Sequence, residues 1–156
     1  MRTVLYIVAI AVLVAVGIWM SGLLKPAKGP ENVHWDRDVC ELCRMMVSDA
    51  GFAAEVRGGS KNKLYKFDDI GCAINWLNEQ SWADAPETEI WIADDKSSRD
   101  QLIWLDARAV HYTTGKITPM NYGLGTSVTP EEGAMSFEQM VTSVLSGKPN
   151  HICETR

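Results

Sequence analysis

The sequence has little positive charge. Lys and Arg number 15 against 20 Asp and Glu, for a formal net charge of −5 at pH 7. The chain carries no basic stripe and no nucleic-acid-binding motif, and its acidic surface would repel a phosphate backbone. We therefore expect no nucleic-acid partner, whereas metal cations and basic proteins remain compatible with the charge.

Cysteine and histidine are also scarce, with four and three residues in the chain. A structural zinc site normally uses four ligands, often supplied as two cysteine pairs. Here only Cys40 and Cys43 are paired, and Cys72 and Cys153 stand alone in the sequence. This spacing argues against a structural zinc module.

Charge is absent altogether from Val4 to Leu24. This run is long enough to cross the roughly 30 Å hydrocarbon layer as one helix, and it fits a cleavable signal peptide poorly. We expect a transmembrane anchor over residues 1–24 that inserts into the lipid bilayer, a tether over 25–38 and a metal-binding domain over 39–156. The short basic start favours a single-pass protein of the inner membrane, with its soluble domain in the periplasm.

Several segments after the predicted tether have the alternating or apolar patterns of β-strands. Strand-like runs begin at Phe52, Lys63, Glu89, Leu102 and Ala109. The first two flank Gly58-Gly59, a turn signal that predicts a hairpin.

Two segments predict helices. Apolar residues at helical spacing favour a helix capped by Asp68 and running through Gln80. Ser136 and Gln139 match a capping box, an apolar face follows, and Gly147 gives a stop signal. The sequence thus predicts an α+β fold.

The two halves of the domain share an order of features. Each has a sulfur residue, Cys43 or Met120, then strand-like sequence, then an aromatic-acid step that opens a helix, at Phe67-Asp68 and Phe137-Glu138. This similarity predicts a diverged duplication of two related ββα-containing halves. A pseudo-twofold arrangement would bring Cys43 and Met120 to one cleft.

The Cys40-x-x-Cys43 pair is open to several interpretations. Outside the cytoplasm it is compatible with a structural disulfide, a redox-active pair, half of a zinc site, or a copper(I) site. Copper(I) prefers thiolate and thioether ligands. We favour Cys43 as the thiolate ligand and Met120 as the thioether ligand, with Pro119 restricting the backbone before Met120.

Other residues are weaker ligand candidates or are expected to have structural roles only. Further copper ligands could come from Cys40, Met45 and His111, whereas His34 and His151 are more typical of a tether and a chain end. Cys72, between apolar neighbours in the first helix, is expected to act as a small buried hydrophobe. Asp68 and Asp69 are expected to cap that helix rather than to take part in chemistry.

Three segments together resemble the NosL family, copper(I) chaperones of nitrous oxide reductase assembly. They are Cys43-Arg44-Met45, the run FDDIGC from Phe67 to Cys72, and Thr118-Pro119-Met120. The resemblance covers most of residues 38–146. The order of the three motifs carries it, because a Cys-x-Met step alone is weak.

This resemblance implies a fold of two related ββα-containing halves similar to organomercurial lyases, behind the N-terminal transmembrane helix. It also implies a Cu(I) site at Cys43 and Met120, no enzymatic turnover, and delivery of copper to apo nitrous oxide reductase or a related copper enzyme, helped by a membrane ABC transporter complex. Arg44 departs from the family, which often has glycine there. Its charge could lower the pKa of Cys43.

Two alternatives to a chaperone remain open at this point. The first is an enzyme that uses Cys40 and Cys43, either a thiol-disulfide oxidoreductase or an organomercurial-lyase-like protein with an additional thiol and an acid. The second is a structural subunit of a membrane complex in which the thiols are only packed.

Overall fold

A computed structural model of the protein describes residues 2–23 and 26–147. His151 and Cys153 lie outside the described residues. In chain order the elements are α1 (Arg2–Leu23), β1 (Ala54–Gly58), β2 (Lys63–Phe67), α2 (Ile70–Asn78), β3 (Glu89–Ala93), β4 (Trp104–Asp106), β5 (His111–Thr113), β6 (Gly125–Ser127) and α3 (Phe137–Ser146).

The strands form one larger sheet and one ribbon. The larger sheet has the order β2-β1-β3-β4 with every pair antiparallel, and β5 pairs antiparallel with β6. The predicted α+β class is confirmed. A strand-strand-helix order occurs twice, as β1-β2-α2 and as β5-β6-α3, while β3 and β4 extend the first sheet; the internal duplication itself stays a prediction.

The predicted hairpin is confirmed, with the boundaries slightly shifted. Its first strand begins at Ala54 rather than Phe52, and Gly59 takes φ +75° in the turn. The capping box of α3 is also confirmed, because Ser136 Oγ accepts from the Gln139 backbone and the Gln139 side chain accepts from Ser136 N. Helix α3 ends at Ser146, and Gly147 is its C-cap, as expected.

Helix α2, predicted over Asp68 to Gln80, differs from expectation at both ends. Its N-cap is Asp69, not Asp68, because the Asp69 side chain accepts from Gly71 N at 3.0 Å. The helix ends at Asn78 rather than Gln80. This one-residue shift frees Asp68 from the capping role.

Helix α1 covers most of the uncharged run, and its described large side chains are exposed. Within the described ranges, no helix is long and apolar enough to cross a membrane. The structure therefore does not bear out the predicted transmembrane helix.

The core lies between one face of the sheet and the two short helices. Helix α2 contacts β1, β2 and α3, and α3 also contacts β5. Ala54 and Val56 of β1 point into this core, together with Phe67, Ile74 and Met140. Burial of this apolar surface supplies the main driving force for folding.

The opposite face of the sheet is covered by the segment predicted as a tether. Arg57 donates to Gly29 O at 3.0 Å and to Glu31 Oε1 at 2.8 Å. Lys66 Nζ donates to Asn32 O at 2.7 Å. All five residues of β1 are therefore buried, including the charged Glu55 and Arg57.

Glu55 is fully buried and has one carboxylate oxygen without a hydrogen-bond partner. Its Oε2 accepts from Glu31 N at 2.8 Å, its Oε1 has no hydrogen-bond partner, and Lys66 Nζ is 4.0 Å away. Burial raises the pKa of the Glu55 carboxyl to about 7, above the ordinary value near 4.5.

We predict that Glu55 makes stability fall with rising pH. The native state keeps the Glu55 proton between about pH 4.5 and 7 whereas the unfolded state releases it, so the free energy of unfolding should decrease across this window. Glu55→Gln should remove this contribution. The difference in the free energy of unfolding between wild type and variant should therefore change by up to about 3 kcal/mol across the window. Urea unfolding at pH 4.5, 6 and 8 measures it, and a constant difference would contradict the prediction.

Candidate metal centre

Three cysteines and one carboxylate converge at the start of α2. The Sγ atoms of Cys40, Cys43 and Cys72 and a carboxylate oxygen of Asp68 all lie within 4.8 Å of one another. Cys40 and Cys72 are fully buried and Asp68 is nearly so, while Cys43 is half-buried. Among the described residues, this thiol cluster is the one group of His, Cys, Asp or Glu arranged to hold a metal ion.

Cys40 and Cys43 are placed by a tight loop. Cys40 N donates to Met45 O at 2.8 Å, and Arg44 N donates to Cys40 O at 3.1 Å. Arg44 takes φ +66°, a left-handed conformation in which glycine is favoured. The Met45 backbone next to Cys43 is one of the groups that lower the pKa of the Cys43 thiol.

Asp68 directly precedes the N-cap of α2, and Cys72 lies in the first turn of that helix. Cys43 Sγ lies 3.4 Å from Asp68 Oδ2 and 3.5 Å from Oδ1. Cys72 is fully buried in the core, as predicted, and its sulfur also belongs to the thiol cluster. The predicted capping role for Asp68 was wrong, because Asp69 is the N-cap. Helical spacing gave no signal for this contact, because Asp68 precedes the N-cap and lies outside α2.

The charge within the thiol cluster is distributed unevenly. Hydrogen bonds from the Cys40 and Cys72 thiols lower the pKa of Cys43 to about 4, and hydrogen bonds to Cys40 and Cys43 raise the pKa of Cys72 far above its usual range. Burial raises the pKa of Asp68 to about 7. At neutral pH the most exposed sulfur is thus the thiolate, and its neighbours stabilise it.

The second loop of the site is fastened to α2 through Asp69. Thr118 Oγ1 donates to Asp69 Oδ2 at 2.6 Å, and Met120 N donates to the same oxygen at 3.4 Å. Met120 is 1% exposed and belongs to the same continuous buried cluster as Cys40 and Cys72. The structure therefore brings the Met120 loop to the turn that carries Asp68 and Cys72.

A glycine and a tyrosine complete this attachment. A Cβ on Gly71 would come within 2.2 Å of the Tyr122 ring, so only glycine allows the ring to lie against α2 there. Asn75 Nδ2 donates to Tyr122 Oη at 3.0 Å. The loop is thus held at two points of the helix, on either side of Cys72.

The remaining sequence candidates lie elsewhere. His111 is in β5 opposite Ser127, His34 donates its backbone N–H to Asp38, and neither belongs to the thiol cluster. Met45 is next to the cluster in sequence and 44% exposed. Cys40, Cys43 and Cys72 are free thiols in the structure.

The donor set determines which metals the site suits. Three sulfur donors with one carboxylate are too soft for Mg²⁺ or Ca²⁺, which take oxygen ligands. Thiolates instead favour Cu(I), Zn²⁺ and iron-sulfur centres. The cluster is therefore suited to a thiophilic metal ion.

We predict that Cys43 reacts with iodoacetamide as a thiolate at mildly acidic pH. With its pKa lowered to about 4, the alkylation rate should be nearly constant from pH 6 to 8, whereas an ordinary thiol gains about tenfold per pH unit there. Peptide mass spectrometry identifies the modified residue. Cys43→Ser is the control that should remove the fast phase, and a rate rising steeply up to pH 8.5 would contradict the prediction.

Asp69→Ala should destabilise the domain by about 2 kcal/mol. The substitution removes the N-cap of α2 and leaves Thr118 and the Met120 amide without their shared acceptor. Urea unfolding at pH 7 measures the loss, and Asp69→Asn is the matched variant that keeps one acceptor oxygen and should lose less. Equal stability of wild type and Asp69→Ala would show that the hydrogen bonds of Asp69 do not stabilise the domain.

Comparison with known proteins supports this architecture at the level of the fold. No protein-family model matches the chain, and no curated protein matches its sequence. Among solved structures it is similar to the copper chaperone NosL from Shewanella denitrificans, with a TM-score of 0.55 and 15% identity over 75% of this chain and 88% of that one. The fold suggested by the sequence motifs is thus confirmed: the chain has a NosL-like α+β fold.

Proposed function

We propose that this protein is a copper(I) chaperone. The observation that carries the proposal is the thiol cluster, in which three sulfur atoms and a carboxylate converge within 4.8 Å. The NosL-like fold supports it, because the similar solved structure is that of a copper chaperone. The protein binds and releases a metal ion and catalyses no reaction.

Copper(I) fits the donors better than zinc does. A structural zinc site is normally closed by four ligands, and the fourth donor here is a carboxylate whose pKa is raised to about 7 by burial. Copper(I) is satisfied by two or three soft ligands. Cys43 supplies the charged thiolate, Cys40 and Cys72 supply further sulfur, and Met120 supplies a thioether from the loop tied to Asp69.

The site is built for exchange as well as for binding. Cys43 is half-buried, whereas Cys40 and Cys72 are fully buried. An incoming ligand therefore reaches the ion on the Cys43 side, where it can replace one ligand while the others still hold the metal.

The client follows from the resemblance of the motifs to the NosL family. We propose that the recipient is apo nitrous oxide reductase or a related copper enzyme, and that a membrane ABC transporter complex assists delivery in the periplasm. The acidic chain, with a net charge of −5, is compatible with a cationic cargo.

We predict one tight copper(I) equivalent per reduced chain. Anaerobic titration against bicinchoninate should show that Cys43→Ser and Met120→Leu each weaken binding roughly tenfold or more, since even outer partners of metal ligands contribute on that scale. Met140→Leu is the matched control, because Met140 is also buried in the core. Its affinity should equal that of wild type.

Two outcomes would separate this function from the alternatives. If Met120→Leu and Met140→Leu behave alike while Cys43→Ser loses binding, the thioether is not a ligand. If the reduced wild type does not compete with the chelator at all, the chaperone proposal fails. The three neighbouring thiols would then favour the thiol-disulfide oxidoreductase, and disulfide exchange with oxidised glutathione would be the next assay.

A further inference from the structure

The three sulfur atoms of the thiol cluster are close enough to form disulfides as well as to bind a metal. The Sγ atoms of Cys40, Cys43 and Cys72 lie within 4.8 Å of one another, and all three cysteines are free thiols. A disulfide requires a sulfur–sulfur distance of about 2.05 Å, with the two Cβ atoms roughly 3.5–4.5 Å apart. A small movement therefore brings two of these sulfurs to bonding distance.

The three sulfurs differ in their exposure to solvent. Cys43 is half-buried, whereas Cys40 and Cys72 are both 0% exposed. An oxidant that arrives from solvent therefore meets the Cys43 sulfur first, and the partial burial of Cys43 favours a small oxidant over a bulky one. Once oxidised, Cys43 lies next to two reduced thiols that the oxidant does not reach.

Cys40 is one of these two thiols, and it lies on the same turn as Cys43. That turn is already closed by two hydrogen bonds, from Arg44 N to Cys40 O at 3.1 Å and from Cys40 N to Met45 O at 2.8 Å. A bond between Cys40 and Cys43 joins positions that the backbone already holds together. The entropic cost of closing so short a loop is therefore small.

Cys72 is the other thiol, and it belongs to a helix rather than to a loop. It packs in the main core, and the N-cap Asp69 joins the start of α2 to Thr118 at 2.6 Å. A shift of α2 toward Cys43 would disturb this packing, and a close-packed interior resists such displacement. The geometry thus favours Cys40 over Cys72 as the partner of an oxidised Cys43.

We infer that Cys43 is a site of reversible oxidation by hydroperoxides, that Cys40 completes a disulfide with it, and that this disulfide prevents copper(I) binding. The inference rests on the proposed function and adds its regulation. The disulfide removes two of the three cysteine donors, among them the sulfur that solvent reaches. Cys72 and Met120 remain as sulfur donors, and both are buried.

The oxidation proceeds in two balanced steps. The Cys43 thiol sulfur attacks one oxygen of the hydroperoxide R–O–O–H, the O–O bond breaks, and the products are a sulfenic acid on Cys43 and the alcohol R–O–H. The Cys40 sulfur then attacks the sulfur of the sulfenic acid, the S–O bond breaks, and the hydroxyl group leaves as water with the Cys40 proton. The two thiols lose two electrons in total, and the hydroperoxide gains them.

Peptide mapping of the oxidised protein tests the pairing. The reduced, metal-free full chain is treated with hydrogen peroxide, the remaining thiols are alkylated in denaturant, and the protein is digested with trypsin without reduction. Cleavage after Arg37 and Arg44 places Cys40 and Cys43 together in the peptide 38–44, and Cys72 lies in another peptide. We expect peptide 38–44 to be unalkylated and lighter by two hydrogen atoms, and Cys72 to be alkylated.

A different linkage would contradict this pairing. Peptide 38–44 joined to the peptide that contains Cys72 or Cys153 overturns the inference. So does a Cys43 that is oxidised to sulfinic acid while Cys40 stays reduced. This measurement uses the wild-type chain alone and does not depend on the stability of any variant.

Copper(I) titration of the oxidised protein tests the consequence for binding. Its affinity, measured anaerobically against bicinchoninate, should be roughly a hundredfold or more below that of the reduced protein, since even outer partners of metal ligands change affinity by about 10–100-fold. Treatment with dithiothreitol, followed by its removal, should restore the affinity of the reduced protein. Disulfide formation with unchanged copper(I) affinity overturns the inference.

Cys40→Ser and Cys72→Ser are matched variants, because each removes one fully buried thiol from the cluster. In Cys72→Ser the disulfide within peptide 38–44 should still form. In Cys40→Ser the sulfenic acid on Cys43 should persist and be trapped by dimedone. Equal trapping by dimedone in the two variants would show that Cys40 does not complete the disulfide, and it overturns the inference.

Two outcomes separate a failure of regulation from a failure of the proposed function. If reduced wild type binds copper(I) but peroxide yields no disulfide between Cys40 and Cys43, the inference is overturned and the chaperone proposal stands. If reduced wild type does not bind copper(I), the proposed function fails, and the regulatory role of the disulfide fails with it.

Discussion

The crowding of four acidic donors in a small, nearly dry space is the constraint on which the rest of this structure depends. Like charges at such distances in a low-dielectric interior repel strongly, so the thiols and Asp68 cannot all ionise together. The domain resolves this by placing the charge on Cys43 and keeping Cys72 protonated. A bound cation would remove the same conflict by neutralising additional thiolates, which is why this arrangement favours a thiophilic metal.

The start of α2 turns this chemical constraint into a fold requirement. Asp69 caps the helix and accepts from Thr118 and the Met120 amide, while the adjacent Asp68 faces the cysteines. One turn of chain therefore fixes both loops of the site at once. The contact of Tyr122 with Gly71 complements the hydrogen bonds at Asp69, because a loop held at one point needs a second contact to fix its direction.

Local signals in the sequence predicted much of the secondary structure. The hairpin around Gly58-Gly59, β3 and the Ser136 capping box each depend on neighbours within a few residues, and each was found close to where the structure has it. The order β2-β1-β3-β4 was not predictable in this way, since the β1–β3 pairing joins residues more than thirty positions apart. The buried Glu55 and Arg57 were missed for a similar reason, because their burial depends on a segment that looked like a spacer.

The site was predicted in part, and the missing part is instructive. Sulfur spacing identified Cys40 and Cys43, and the resemblance of motifs pointed to Met120, yet Cys72 was assigned to packing because its neighbours are apolar. An apolar environment does not distinguish a filler cysteine from a ligand, since thiol ligands in a core have the same neighbours. The convergence of Cys72 with Cys40, Cys43 and Asp68 does distinguish them, and it depends on contacts between residues distant in sequence. A buried carboxylate needs a partner, and the structure places the Cys43 sulfur 3.4 Å from Asp68 Oδ2.

The Cys43 sulfur combines solvent exposure with negative charge, and both properties matter for the release of a bound metal ion. Cys43 is both the most exposed sulfur of the cluster and the one whose thiolate is most stabilised. A thiolate held by hydrogen bonds from Cys40 and Cys72 loses less when a metal departs than an unsupported one would, because its charge remains solvated by the protein. If the protein is the copper(I) chaperone proposed above, the ion would leave more readily through Cys43 than through the buried thiols.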